Sequence, residues 1–262
     1  ERVVDAFVTP VFWPDDQLPA YARDALDMFG AVLEEARGMT PGRLVELMDE
    51  HGVDHAVLNG LDGLWPDVLA YVEAYPDRFS FSVEVDPRRG MQTVREVDRA
   101  IREHGAVLVR MVPFVVGLAP SDRVYYPVFA KCAELGVPVA LNCGIPAPPM
   151  PAEVQHPLHL DEVLRFFPEL TVVMQHGADP WWDVAIRLLM KFPNLYLMTS
   201  AWSPRRLPES LLRFMDGRGR GKVMFGSDHP VLSFGRCLRE ARDLGLAPES
   251  LAAYLGGAAD RA

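Results

Sequence analysis

One histidine and one aspartate, each set straight after a short apolar run, are the residues of this sequence best suited to move a proton. His176 follows TVVMQ and precedes Gly177, and Asp228 lies in GSDHP after VMF. Imidazole titrates near neutrality, and a carboxylate drawn out of water needs a charged partner or a proton. Together they can activate water or shuttle a proton, a step worth typically ~10²–10⁴-fold. The competing readings are a hydrogen-bonded core histidine and an aspartate that caps its own loop. Arg110 ends the run AVLVR, where a planar guanidinium suits bidentate capture of a substrate carboxylate; the alternative is a salt bridge to Glu84 or Asp86. Asn142 either donates to a developing oxyanion or fills space. Its neighbour Cys143 is a nucleophile if His176 serves as its base, and an inert buried thiol otherwise. His229 either joins Asp228 at the substrate or points away from it. Trp202, with Trp181 and Trp182, either stacks an aromatic substrate or packs a core. Phe7 and Thr9 close the first apolar run and complete the set expected to touch substrate.

What must position these residues is a repeating pattern. Apolar, β-branched runs at 3–7, 53–58, 81–85, 106–111, 137–141, 171–174, 195–198 and 223–225 alternate with segments of helical period at 41–51, 91–104, 126–135 and 183–192. Thr40 before Pro41 reads as a helix start, and Gly52, Gly105 and Gly136 stand where helices stop. Eight β–α units in 262 residues predict a single (β/α)₈ barrel, one domain over 1–262. Such barrels build their sites at the C-terminal ends of the strands. Those ends carry Asp5, Phe7, Thr9, Asn59, Glu84, Asp86, Arg110, Asn142, Cys143, His176, Thr199, Ser200, Trp202, Asp228 and His229. Residues 16–38 form a helical insertion after the first strand, expected to serve as a lid or as an oligomer contact, which would make the protein a homodimer. The proline-rich stretch 145–151 reads as an irregular loop, with His156 and His159 further along it. His51, His55 and His104 fall on the opposite, structural side.

The formal charge of -10 with no Lys/Arg cluster excludes nucleic acid and anionic membranes as natural partners and leaves a small-molecule substrate. No apolar run approaches the ~20 residues of a membrane span, and no export signal is visible. Cys132, Cys143 and Cys237 are widely spaced and form no CxxC pair, which fits a reducing, cytoplasmic setting.

The stretches YPDRFSFSVEVDP, YYPVFAKCAELGVPVALNCG, FPELTVVMQHGADPWW, FPNLYLMTSAW and VMFGSDHP resemble, in order and spacing, the amidohydrolase-related family that includes aminocarboxymuconate semialdehyde decarboxylase. The resemblance runs over essentially the whole chain. It implies hydrolysis or decarboxylation of a small carboxylated or cyclic carbonyl compound. In that family a divalent metal is held by an HxH pair after strand one, a histidine after strand five and an aspartate after strand eight, with a histidine after strand six as acid/base. The HxH pair falls here on Phe7 and Thr9, the strand-five histidine on Asn142, the strand-six histidine on His176 and the aspartate on Asp228. A catalytic zinc generally takes three protein ligands, and a phenyl ring cannot be one. The expectation is therefore a metal-independent enzyme with a His176/Asp228 acid–base pair, as in the lactonases of the family that hydrolyse without metal. Two alternatives stand beside it. One is a divalent metal, zinc, in a site rebuilt around His176 and Asp228 with His229 and Asp5 or Cys143. The other is a barrel that binds a ligand without catalysis.

Overall fold

The computed structural model describes residues 1–29 and 39–262. Its strands β1 (Val4–Val8), β2 (His55–Gly60), β3 (Phe79–Glu84), β4 (Leu108–Met111), β5 (Val139–Asn142), β6 (Val172–Gln175), β7 (Leu195–Met198) and β8 (Val223–Met224) are parallel and neighbour one another in chain order. The ring closes where β1 meets the residues around and after β8: Ala6 N–H donates to the Phe225 carbonyl at 3.1 Å, Asp228 N–H to Phe7 at 3.1 Å, and Thr9 N–H to His229 at 2.9 Å. Between the strands run α1 (Ala20–Phe29), α2 (Pro41–His51), α3 (Trp65–Ala74), α4 (Met91–Arg102), α5 (Tyr126–Leu135), α6 (His159–Phe166), α7 (Trp182–Lys191) and α8 (Glu209–Met215), and α9 (Phe234–Arg242) follows β8. This is the (β/α)₈ barrel that the sequence pattern predicts.

Punctuation accounts for the helix ends. The Thr40 hydroxyl accepts from Arg43 N–H at the start of α2, and Gly52 (φ 72°) and Gly136 (φ 66°) take the left-handed turn that ends α2 and α5. The same caps explain why β2 begins two residues later than its apolar run. The Val53 N–H is spent on the Met48 carbonyl, so its side chain packs in the core while its backbone closes the helix.

Two apolar layers hold the barrel. Helices and outer strand faces share the larger one, around Leu44, Trp65, Phe79, Phe129 and Leu189. Inside the ring, Ala6, Phe7, Leu108, Ala140, Val173, Met198 and Met224 fill the lumen, with Ala258 packed against them. α1 accounts for part of the expected insertion; residues 30–38 lie outside the described residues. The stretch 145–151 is irregular, as expected, but His159 does not belong to that loop: it opens α6 and sits 3.0 Å from Glu153. Among the described residues no helix is long and apolar enough to cross a membrane. The three cysteines are free and buried.

Candidate active site

Side chains on a strand return to the same face every second residue, so the position two steps beyond each lumen filler also points inward. From Leu108, Ala140 and Val173 that step reaches Arg110, Asn142 and Gln175. Strand register sets Glu84 opposite Arg110 and Asn142 opposite Gln175. The lumen thus changes from apolar to polar within one pleat.

The Arg110 guanidinium organises this upper layer. One Nη donates to Glu84 in a salt bridge with both side chains buried, Nε donates to Gln175 Oε1 at 3.1 Å, and the other Nη donates to Asn142 Oδ1 at 2.9 Å. That Nη also lies 3.5 Å from His176 Nε2. Because arginine only donates, each amide is oriented: Gln175 must turn its Nε2 toward His176 Nε2, 3.3 Å away, and Asn142 keeps its Nδ2 as a donor for the cavity. His176 Nε2 therefore faces two donors and is the acceptor. Its proton resides on Nδ1, which donates to Ser200 Oγ at 2.9 Å.

Burial, reinforced by the Arg110 charge, holds the His176 imidazolium far out of reach, with a pKa of about 3. Asp228 moves the other way. Burial drives its carboxyl up to about 8, only partly opposed by Arg110 and with Asp5 adding repulsion. At neutral pH the pair is a neutral imidazole and a protonated carboxylic acid. Both residues, with Ala201 on the loop after β7, hold left-handed backbone (φ 67°, 66° and 64°), which costs a non-glycine residue of order 1–3 kcal/mol and is found mainly where function demands it. They do not hydrogen-bond each other.

A cavity of about 650 Å³ opens above this layer. Of the residues expected to meet substrate, Phe7, Thr9, Arg110, Asn142, Cys143, His176, Trp202 and Asp228 line it. Phe7 sets its ring edge-on to His176, with centroids 5.2 Å apart, and lies 5.0 Å beneath the Arg110 guanidinium carbon. Trp202 Nε1 donates to the His176 carbonyl at 2.8 Å, pinning the turn that presents the imidazole. Thr9 Oγ1 accepts from Asn59 at 3.5 Å.

His229 needs correction as a substrate contact, and the structure decides between the open readings of Arg110 and Cys143. His229 does not line the cavity: its ring stacks on Phe234 at 4.4 Å, its nitrogens are buried without hydrogen-bond partners, and burial lowers its pKa to about 4. It follows Asp228 directly, and the left-handed backbone of Asp228 (φ 66°) turns the chain so that the two side chains part. Arg110 is no open anion clamp, since Glu84 already neutralises it. The Cys143 thiol is pushed up to about 12 by burial and cannot supply a thiolate. Asp5, a candidate ligand for a rebuilt metal site, also turns away, its Oδ1 accepting from the Phe7 and Ser227 N–H groups.

Sequence reasoning missed Gln175, hidden at the end of an apolar run, and the aromatic wall of Phe12, Trp13, Tyr21 and Phe114. Tyr21 comes from α1 and packs edge-on against Phe114 at 5.4 Å. The insertion's helical period alone offered no sign of which face would reach the cavity.

The donors do not fit a divalent metal. The family's ligand positions carry a phenyl ring, a threonine, and an asparagine whose oxygen is already held by a guanidinium. That guanidinium also stands beside His176 Nε2, so a second cation there meets like charge. Among the described residues no group of three or more His, Cys, Asp and Glu side chains is placed to hold a metal.

A parallel eightfold barrel with its titratable groups crowning the C-terminal strand ends defines the class: a (β/α)₈ enzyme with a closed apolar floor and a polar mouth. The amidohydrolase family model matches residues 4–262, and the chain belongs to the amidohydrolase family, a family of enzymes. No curated protein matches it in sequence. Among solved structures it is similar to an uncharacterised TIM-barrel protein from Bordetella bronchiseptica (25% identity, TM-score 0.83, covering 100% of this chain and 98% of that one). It is also similar in fold to 5-carboxyvanillate decarboxylase from Sphingomonas paucimobilis (18%, 0.75, 99% and 98%). A third likeness is 5-carboxyvanillate decarboxylase from Novosphingobium aromaticivorans (14%, 0.73, 99% and 95%), a structure complexed with manganese and 4-hydroxy-3-methoxy-5-nitrobenzoic acid.

Proposed function

We propose that this protein is a decarboxylase of small carboxylated compounds that works without a tightly held metal, with Asp228 as proton donor. The observation that carries this reading is the resting protonation of the site. Asp228 is driven up to about 8, while His176 Nε2, held near 3, is occupied by two donors. Hydrolysis needs a base to deprotonate water; at neutral pH Asp228 is protonated, and His176, held near 3, is too weak a base for the task. Decarboxylation needs the reverse, a proton delivered to carbon. The substrate C–C bond breaks, its electron pair stays on carbon, and CO₂ leaves. That carbon then takes the Asp228 proton, and the carboxylate regains one from water. Asn142 Nδ2 donates to negative charge as it develops on the substrate, and Arg110 fixes that amide in place through its Oδ1. His176 stays neutral in this scheme and holds the upper layer in register with Ser200 and Trp202. The described part of the insertion, α1, serves as a cover, with Tyr21 forming part of the wall.

The test is the pH–rate profile with a panel of carboxylates, lactones and amides, together with Asp228→Asn and His176→Ala. CO₂ release that falls away above about pH 8, and drops ~10²–10⁴-fold in Asp228→Asn, is the expected result. Hydrolysis that rises above pH 8 would instead make ionised Asp228 a general base, and wild-type rates in both variants would end the acid–base reading altogether. Near-stoichiometric zinc, iron or manganese in protein purified without chelator would overturn metal independence.

A further inference from the structure

Among the described residues, six charged ones line the cavity: Glu84, Arg110, Asp179, Arg206, Asp228 and Arg236. Most are satisfied. Glu84 and Arg110 neutralise each other at the floor. Arg236 Nε lies 3.0 Å from Glu240, and Asp179 Oδ1 accepts from Trp182 Nε1 at 3.0 Å. Arg206 differs: its side chain forms no ion pair or hydrogen bond with another described residue, and it is exposed, which places it at the cavity mouth where the floor residues are buried.

The turn that carries it is anchored. Pro204–Arg206 form a short 3₁₀ helix after β7, and Glu240 of α9 gathers the residues around it. Ser203 Oγ donates to Glu240, Arg205 N–H reaches it at 3.4 Å, and Arg205 Nε lies 3.6 Å from its other oxygen. Arg205 is thus committed to Glu240, and its neighbour Arg206 is left facing the cavity beside Trp202. In a chain of net charge -10, an unneutralised guanidinium on a cavity rim above aromatic walls is a recognition element for an anion.

We propose that the substrate carries two anionic groups on a largely apolar frame, one reaching the Asp228 end of the cavity and a second at the mouth, held by Arg206. Arg206 is then a specificity-determining residue. The proposal rests on the reading of this cavity as the substrate site, not on the reaction performed there.

Calorimetric titration of the intact protein with benzoate, isophthalate and terephthalate tests it. In about 50 mM salt the better dicarboxylate binds about tenfold more tightly than benzoate, and the preference shrinks toward parity near 500 mM. Arg206→Gln brings the dicarboxylates down to parity with benzoate, and Arg206→Lys keeps part of the preference. Equal binding of mono- and dicarboxylates by the wild type, a preference that survives Arg206→Gln, or no binding of any of the three overturns the proposal. None of these readouts involves turnover. Failure of the decarboxylase reading shows instead in the pH–rate profile and in Asp228→Asn, with Arg206→Gln binding untouched.

Discussion

Two layers of the same lumen, one pleat apart, obey opposite rules. In the lower layer Leu108, Ala140 and Val173 close the barrel by apolar burial, which is non-directional and tolerant of shape. In the upper layer Arg110, Asn142 and Gln175, two residues further along the same strands, are fixed by direction: each donor has one acceptor, and the guanidinium decides which way every amide turns. The lower layer can be refilled. The upper layer stands or falls as a unit, because any member removed leaves a polar group buried without its partner.

The contrast is broken most severely at Arg110. Arg110→Met leaves Glu84 buried and unpaired, and urea unfolding should show a loss of about 3–5 kcal/mol. Adding Glu84→Gln to that variant should restore part of it, since the orphaned charge is gone. A double variant no more stable than the single one would mean that the pair is not the organising contact.

A smaller effect comes from pH. Asp228 rises from an ordinary 3.8 to about 8 in the folded chain. Between those values the native state keeps a proton that the unfolded chain has released, so this group makes stability fall as pH increases. His176 and His229, lowered from 6.5 to about 3 and 4, act oppositely, but only below pH 6.5, and Asp5, raised to about 6, has largely titrated by then. From pH 6.5 to 8 Asp228 makes the largest contribution, opposed near the upper end by Lys222, which burial lowers to about 8. Across that window stability should drop by about 1–2 kcal/mol, and Asp228→Asn should remove the drop. The smallest effect belongs to the lower layer. Met224→Leu keeps the volume, should cost less than about 1.5 kcal/mol, and should leave turnover and its pH dependence unchanged.

The lower layer was legible in the sequence and the upper one only in outline. Apolar β-branched runs mark all eight strands, and glycine and threonine caps mark the ends of α2 and α5. The systematic slip is that β2, β4 and β5 each begin two residues after the apolar run that predicts them, because the N–H groups of Val53, Ala106 and Val137 close the preceding helices onto Met48, Ala100 and Cys132. At the site, position after a strand end located His176, Asp228, Arg110 and Asn142. It could not show that Glu84 stands opposite Arg110, since register between strands is a tertiary property. Nor could it show that His229 turns its ring onto Phe234, because that depends on the left-handed turn at Asp228. Gln175 escaped notice as the last letter of an apolar run, and Arg206 lay in a loop whose anchoring by Glu240 of α9 is visible only in three dimensions.

Everything proposed for the reaction depends on Asp228 holding a proton in neutral solution. Carbon-13 NMR of protein labelled at aspartate carboxyls, with the Asp228 signal assigned by its absence from Asp228→Asn, measures this directly. The account predicts a resonance that stays in the protonated range through pH 7 and titrates near 8. A signal already ionised by pH 5 would contradict it.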